Sequence, residues 1–226
     1  MKTLFISDLD GTLLNPDAEL SDFTAGVING LHEKGIYFSI ATARTDASVK
    51  KIMEGVKLGA PAVLMNGAAL FDLEEGRYIS SIPIGENGKK ALMEALGLLG
   101  YKGFLYTIED GRLNTLYENV NAANAEAFIA ERVRKYGKQF TRVESLLGCD
   151  KMNAVHFSVS GQREQLLPVQ SRLLQSEEVN VEFYEDRYNP SFWYLEVMGK
   201  HCSKYHGVQA LKKLCGFERV ISFGDN

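Results

Sequence analysis

Cysteine is scarce in this sequence, and its placement excludes two common uses of the residue. The 226 residues include only three cysteines, an odd number at unpatterned spacings, namely Cys149, Cys202 and Cys215. No CxxC pair occurs, so neither a cysteine-based zinc site nor the disulfide framework of a small secreted protein is expected. We therefore expect free thiols in a protein of the reducing cytoplasm.

Long apolar runs and blocks of basic charge are also missing. No stretch approaches the ~20 apolar residues of a membrane-spanning helix, and the short apolar run at the N-terminus breaks on acidic residues, unlike a signal peptide. The net charge of -4 is spread along the chain without a positive patch. We therefore expect neither a membrane nor a nucleic acid as a partner, and the oligomeric state stays open.

What the sequence does contain is an alternation of short apolar runs with helical patterns. The apolar runs lie at 4–6, 37–41, 62–65 and 220–223. The pattern between them predicts a helix from Ser21 to Lys34 that Gly35 ends, one from Asp46 as its cap to Met53, and one at 203–214. This alternation is typical of a parallel sheet covered by helices, so we predict a Rossmann-like α/β core.

The middle of the chain has a different pattern. Hairpin turns are predicted near 72–77 and 108–112, helices at 89–99, 121–136 and 162–175, and strands at 154–160, 179–184 and 193–197. Such a mixture indicates a separate α+β domain. We place the core at 1–83 and 191–226, and the inserted domain at 84–190.

The residues suited to chemistry follow the predicted core strands. They are Asp8, Asp10, Thr42, Arg44, Asn66 and Asp225. Ligands of open α/β sheets bind beyond the carboxyl ends of the strands, so these groups should share one rim. Crowded carboxylates repel each other unless a cation lies between them, and oxygen ligands without supporting His or Cys suit Mg²⁺. A carboxylate beside Mg²⁺ can attack phosphorus, and Lys204 can neutralise the phosphoryl oxygens.

Taken singly, several of these residues have simpler explanations. Thr42 alone is more often a helix cap, and Lys204 alone is more often a solvated surface residue. Arg44 is balanced between a substrate contact and a structural ion pair, while Asn66 can simply satisfy the backbone of a loop. Their order and spacing together favour a catalytic site.

At this point the sequence resembles a known superfamily. The segment Asp8-Leu9-Asp10-Gly11-Thr12 matches the DxDGT signature of the haloacid dehalogenase (HAD) superfamily. Thr42, Lys204 and Gly224-Asp225 match its second, third and fourth motifs in order. The large insertion between the second and third motifs resembles the Cof-type branch, which carries a cap domain there. The resemblance thus implies a HAD core with an α+β cap.

The resemblance also implies a role for each matching residue. Asp8 is implied as the nucleophile and a metal ligand, and Asp10 as the acid and base whose backbone carbonyl also touches the metal. Thr42 is implied to bind the transferred phosphoryl group, Lys204 to pair with Asp8 and that group, and Asp225 to hold Mg²⁺. Arg44 and Asn66 lie where the family has substrate contacts.

The sequence departs from the family pattern in three places. Bulky residues follow Lys204 where the family usually has glycine, and Ala43 also stands where glycine is common. The sequence stops within the fourth motif, at Asn226. We therefore expect a core that lacks its last strand and helix, and a chain whose full activity is in doubt.

These observations together predict a Mg²⁺-dependent phosphatase that acts on small phosphorylated metabolites through an aspartyl-phosphate. Asp10 favours phosphoryl transfer over dehalogenation, because an alkoxide leaving group needs a general acid. Sugar phosphates are the leading substrate class by resemblance, with pyridoxal phosphate and flavin mononucleotide as alternatives. Two rival functions stay open, a phosphotransferase or phosphomutase with the same Asp8 chemistry, and a non-catalytic phosphate-binding or inactive truncated form.

Overall fold

The structure is a computed structural model that describes residues 1–119, 123–149, 151–186 and 191–225. The chain divides into two compact units. Unit 1 comprises Met1–Ser81 and Cys202–Asn226, and unit 2 comprises Ile82–His201. Unit 2 is therefore an insertion between the two halves of unit 1.

Strands and helices occur throughout both units. The strands are β1 Thr3–Ser7, β2 Tyr37–Ile40, β3 Ala62–Leu64, β4 Ala69–Asp72, β5 Arg77–Ser81, β6 Phe104–Glu109, β7 Arg112–Tyr117, β8 Thr141–Arg142, β9 Ala154–Gly161, β10 Val179–Glu185, β11 Trp193–Gly199 and β12 Arg219–Phe223. The helices are α1 Asp22–Glu33, α2 Asp46–Ile52, α3 Glu86–Leu96, α4 Ala123–Tyr136, α5 Arg163–Leu173 and α6 Lys204–Cys215.

The expected parallel sheet forms the centre of unit 1. Strand β1 lies between β12 and β2 and pairs with both in parallel, with Leu4 opposite Val220 and Tyr37. A parallel bridge between Ala41 and Val63 continues this pairing towards β3. Leu4 and Ile6 are buried, as expected for parallel strands that are covered on both faces. The prediction of an α/β core is confirmed.

Two helices of unit 1 allow the predicted helix starts to be compared with the observed ones. Helix α1 begins after Ser21, as the predicted range 21–34 indicated, and the Ser21 hydroxyl accepts a hydrogen bond from the Thr24 amide at 3.1 Å. The expected capping role of Asp46 is wrong, because Asp46 is already the first residue of α2 and Thr45 precedes it. The Asp46 carboxylate instead accepts hydrogen bonds from the Tyr78 hydroxyl at 3.0 Å and from Lys50 at 3.0 Å.

Unit 2 has an α+β architecture. Its six-stranded sheet has the order β10-β11-β9-β6-β7-β8, and the pairings are antiparallel except that of β7 with β8. Helices α3 and α5 pack together, and α5 lies against β9, β10 and β11. Buried apolar residues fill this layer, among them Leu92, Leu105, Phe157, Val169 and Leu195.

The second limit of the insertion differs from the one placed on the sequence. We placed the return to the core at Ser191, but β11 follows that point and pairs with β9 and β10 of unit 2. The division therefore lies between His201 and Cys202. The expected last residue of the insertion, Pro190, lies outside the described residues. Within the described residues, no helix is both long and apolar enough to cross a membrane.

Candidate active site

The carboxyl ends of the unit 1 strands bring the candidate residues to one edge of the sheet. The amide of Asp8 donates to the carbonyl of Phe223 at the end of β12, at 2.9 Å. The amide of Thr42 donates to Val63 in β3 at 2.9 Å, and the amide of Asn66 donates to the Thr42 carbonyl at 3.1 Å. Asp8, Thr42 and Asn66 are thus fixed through the backbone at neighbouring strand ends.

Asp8 and Lys204 form an ion pair at this edge. The Lys204 Nζ lies 2.5 Å from Oδ2 of Asp8, and the side chains are 39% and 17% exposed. The other carboxylate oxygen, Oδ1, accepts a hydrogen bond from the Leu9 amide at 2.7 Å. One carboxylate is therefore oriented by a cation and a backbone amide while it stays accessible to a ligand.

Close packing at the start of α6 puts Lys204 within reach of Asp8. Ser203 caps the helix by accepting a hydrogen bond from the His206 amide at 3.2 Å. Gly67 has φ +91°, and a Cβ there would clash with the Ser203 carbonyl. A Cβ on Gly207 would lie 2.7 Å from the Gly67 Cα. Glycine at both positions lets the helix start lie directly on the turn after β3.

Asp10 is held by Arg44. The Nε and Nη2 atoms of Arg44 donate to the two carboxylate oxygens of Asp10 at 2.8 and 2.7 Å. Arg44 is 16% exposed and Asp10 is 48% exposed. Of the two roles weighed for Arg44 in the sequence, the structure shows the ion pair, and Asp10 is its partner.

Thr42 and Asn66 line the buried side of the edge. Thr42 is fully buried, and its Oγ1 accepts a hydrogen bond from the Arg44 amide at 3.2 Å. Asn66 is 8% exposed and has a left-handed backbone, with φ 53° and ψ 32°. Its carbonyl accepts a hydrogen bond from the Cys202 thiol at 3.5 Å. Both residues therefore have structural contacts in addition to any contact with a ligand.

Asp225 lies against the loop that carries Asp10. A Cβ on Gly11 would be 2.5 Å from Oδ2 of Asp225, so only a glycine leaves space for this carboxylate. Gly11 also has φ +77°, which favours glycine. The structure thus brings Asp225 to the same edge as Asp8.

The donor chemistry of this edge fits Mg²⁺. Within the described ranges, no three or more His, Cys, Asp or Glu side chains are grouped so as to hold a metal ion. The carboxylates of Asp8 and Asp225 are oxygen donors at this edge of the sheet. Mg²⁺ prefers oxygen ligands, retains several waters and is commonly bound through one or two carboxylates, so the chemistry of these two side chains suits this ion.

Two features of the site were missed in the sequence. The buried Oγ1 of Thr12 has no hydrogen-bond partner among the described residues, although Thr12 is part of the DxDGT segment. The Ser203 hydroxyl also lies 2.8 Å from Nδ1 of His206, so the cap of α6 involves a side chain as well as an amide. The three-residue spacing of Ser203 and His206 at a helix start was the available signal for this second contact.

Comparison with known proteins shows to which sequences this chain is similar. A family model for haloacid dehalogenase-like hydrolases matches residues 5–226. A curated relative, the 5-amino-6-(5-phospho-D-ribitylamino)uracil phosphatase of Bacillus subtilis, is 27% identical over 241 residues, covering 98% of this chain and 79% of the relative.

Solved structures agree on the fold. A haloacid dehalogenase-like hydrolase from Bacteroides thetaiotaomicron has a TM-score of 0.73 at 20% identity, covering 100% of this chain and 82% of its own. A HAD subclass IIB sugar phosphatase has a TM-score of 0.68 at 19% identity, covering 100% of this chain and 81% of its own.

Proposed function

Because the chain belongs to the haloacid dehalogenase-like hydrolases and is an enzyme of the phosphohydrolase type, we propose that it hydrolyses small phosphomonoesters in a Mg²⁺-dependent reaction. The observation that carries this proposal is the Asp8–Lys204 pair beside the Asp10–Arg44 pair. The first pair provides a nucleophile with a cation at its side, and the second provides a carboxylate for proton transfer.

In the proposed reaction Asp8 is the nucleophile. An Asp8 carboxylate oxygen attacks phosphorus, the bond from phosphorus to the ester oxygen breaks, and Asp10 gives its proton to that oxygen. Water then attacks the phosphorus of the aspartyl-phosphate, Asp10 takes the proton of that water, and the Asp8 carboxylate leaves. Lys204 balances the negative charge on the phosphoryl oxygens throughout, and the Thr42 hydroxyl is proposed to bind one of them.

The metal role is proposed for residues of the same edge. Asp8, Asp225 and the backbone carbonyl of Asp10 would hold Mg²⁺, which supplies positive charge to the phosphoryl oxygens when bound. Asn66 is proposed to lie on the substrate side of the phosphoryl group, whereas Arg44 pairs with Asp10. Bound Mg²⁺ would offset the negative charge of the aspartates at this edge, so that a phosphate dianion could approach Lys204.

The proposed substrate class is a phosphate on a small hydroxylated carbon chain, with sugar phosphates first. The name of the Bacillus subtilis relative describes a phosphate on the D-ribityl chain of its substrate, which is an ester of a sugar alcohol. Flavin mononucleotide also carries its phosphate on a D-ribityl chain, so the name of this relative supports sugar-alcohol phosphates, flavin mononucleotide among them, ahead of pyridoxal phosphate.

The test is release of inorganic phosphate from a panel of small phosphomonoesters, with Mg²⁺ and with EDTA. Release should require Mg²⁺, and Asp8→Asn should lower it by at least about a thousandfold, because the nucleophile is lost while the volume is kept. Asp17→Asn is the control, since Asp17 is an exposed aspartate in the following loop. Wild-type turnover in Asp8→Asn would refute the proposed nucleophile, and phosphate passed to an added alcohol would indicate a phosphotransferase.

A further inference from the structure

The orientation of the Asp10 carboxylate has a structural cause outside its own loop. Asp10 lies in the irregular turn Leu9–Leu13, has a non-helical backbone (φ -71°, ψ 124°) and is about half exposed. An exposed aspartate side chain ordinarily rotates among several rotamers. Here both of its oxygens are engaged by Arg44, which is 16% exposed. The more buried partner therefore sets the position of the more exposed one.

Arg44 is in turn fixed through its own backbone. Its amide donates to the Thr42 Oγ1 at 3.2 Å, and its carbonyl accepts from the Met65 amide at 3.1 Å. These bonds join Arg44 to the ends of β2 and β3, the same sheet edge that carries Asp8. The planar guanidinium then fixes its carboxylate partner at two points, which a lysine ammonium cannot do.

From this geometry we propose that Arg44 is a positioning residue, which holds the Asp10 carboxylate for the second half of the reaction, the hydrolysis of phosphorylated Asp8. The inference rests on the proposed function and adds a residue-level cause for its second step. A carboxylate has about four lone-pair positions, so the two bonds to Arg44 do not by themselves use all of those of Asp10.

The chemistry of that step defines what Arg44 contributes. The oxygen of water forms a bond to phosphorus as the bond from phosphorus to the Asp8 oxygen breaks, and the water proton passes to Asp10. Phosphate leaves and Asp8 is restored. Misplacement of the base by about 1 Å slows such a transfer by up to about a hundredfold. With a leaving group that needs no proton, loss of Arg44 should therefore slow hydrolysis of the phosphorylated enzyme and leave its formation unchanged.

Rapid-quench kinetics with p-nitrophenyl phosphate and Mg²⁺ separate the two steps. The p-nitrophenolate group leaves without needing a proton, so Arg44→Met should form phosphorylated enzyme at the wild-type rate and hydrolyse it about 10- to 100-fold more slowly. The expected result is a burst of one p-nitrophenolate per active site, with a phosphorylated protein visible by intact mass. Arg44→Lys should behave similarly, because it keeps the charge but not the two-point contact.

Two controls show whether Arg44 acts through Asp10. In an Asp10→Asn background, Arg44→Met should slow hydrolysis no further, since residues that act as a unit are not additive. Arg77→Met removes an arginine from the exposed Arg77–Glu75 pair and should leave both steps unchanged.

Several outcomes would overturn the inference. A raised KM with unchanged hydrolysis of the phosphorylated enzyme in Arg44→Met would make Arg44 a substrate contact. Wild-type behaviour of Arg44→Lys would refute two-point positioning, and further slowing in the Asp10→Asn background would refute action through Asp10. If wild-type protein formed no phosphorylated Asp8 and released no phosphate, the proposed function itself would fail, which is a result distinct from these three.

Discussion

At the scale of single residues, unit 2 contains a nearly buried pair, His156 and Glu196. The His156 Nε2 lies 3.6 Å from Oε2 of Glu196, and the side chains are 7% and 12% exposed. Burial alone would raise the pKa of Glu196, but the interaction with nearby His156 and a hydrogen bond from the Tyr184 hydroxyl outweigh it and lower that pKa. Burial and the Glu196 charge raise the pKa of Tyr184, so Tyr184 remains a donor. The folded protein thus favours ionised Glu196.

This pair predicts a specific dependence of stability on pH. Because the pKa of Glu196 is lower in the folded than in the unfolded state, its contribution is present above the ordinary value of 4.5 and disappears as pH falls through the folded value. Glu196→Gln should therefore lower the free energy of unfolding by about 1.5–3 kcal/mol at neutral pH. The difference from wild type should shrink below pH 4.5, as measured by urea denaturation across that range.

The exposed Glu178 of the same unit provides the matched control. Glu178→Gln should change the free energy of unfolding by less than about 0.5 kcal/mol at every pH. A Glu196→Gln deficit that stayed constant into acid would mean that packing, rather than ionised Glu196, is responsible.

The candidate site shows what sequence reveals about single residues and what it does not. The strand ends indicated Asp8, Thr42, Asn66 and Asp225 because a polar residue after a buried strand is a local signal. The Asp10–Arg44 pair joins residues 34 positions apart, and its alternatives had equal support in the sequence. A long-range pair depends on how two turns approach each other, which no local pattern encodes.

At the scale of elements, the same serine cap begins α1 and α6. Ser21 accepts a hydrogen bond from the Thr24 amide, and Ser203 accepts one from the His206 amide, at 3.1 and 3.2 Å. Only α6 places an active-site candidate, Lys204, directly after its cap. Variants of the two serines therefore distinguish the effect of a helix cap on stability from its effect on the position of Lys204.

Replacing each serine by alanine should cost about 1 kcal/mol of stability. Ser203→Ala should in addition lower kcat/KM by about fivefold, because loss of the cap disturbs the position of Lys204 at the start of α6. Ser21→Ala should leave kcat/KM unchanged. Thermal unfolding and phosphate-release kinetics on both variants measure this, and equal kcat/KM values for the two would show that the α6 cap does not position Lys204.

The limits of single helices and strands were predicted better than the sheet to which each strand belongs. The helices at Asp22–Glu33 and Lys204–Cys215 lie within a residue or two of the predicted limits, because caps and apolar spacing are local. Strand β11 was also expected, at 193–197 among the strands of the middle domain, but the limit placed at Ser191 fell before it. Its residues are partly or fully buried, and an apolar run of this kind fits either sheet. The choice of sheet follows from its pairing with β9 and β10.

At the scale of the whole molecule, each unit has a hydrophobic core of its own residues. One cluster contains Leu4, Ile6, Val63 and Leu211 of unit 1. The other contains Leu105 and Phe157 with further residues of unit 2. A buried cluster stabilises the elements that contribute to it, and regions with separate clusters can open with separate free energies.

The two cores predict that a core substitution loosens one unit selectively. Phe157→Ala removes a fully buried ring and should destabilise unit 2 by about 3–5 kcal/mol. Hydrogen exchange of the full chain should then show lost amide protection in peptides from 82–201, with protection in 1–81 and 202–225 retained. Ile6→Ala, at a buried position in β1, should give the reverse pattern. If either variant lost amide protection in both units to the same extent, the two units would unfold in one cooperative transition. The two units would then be separate in their contacts but not in their stability.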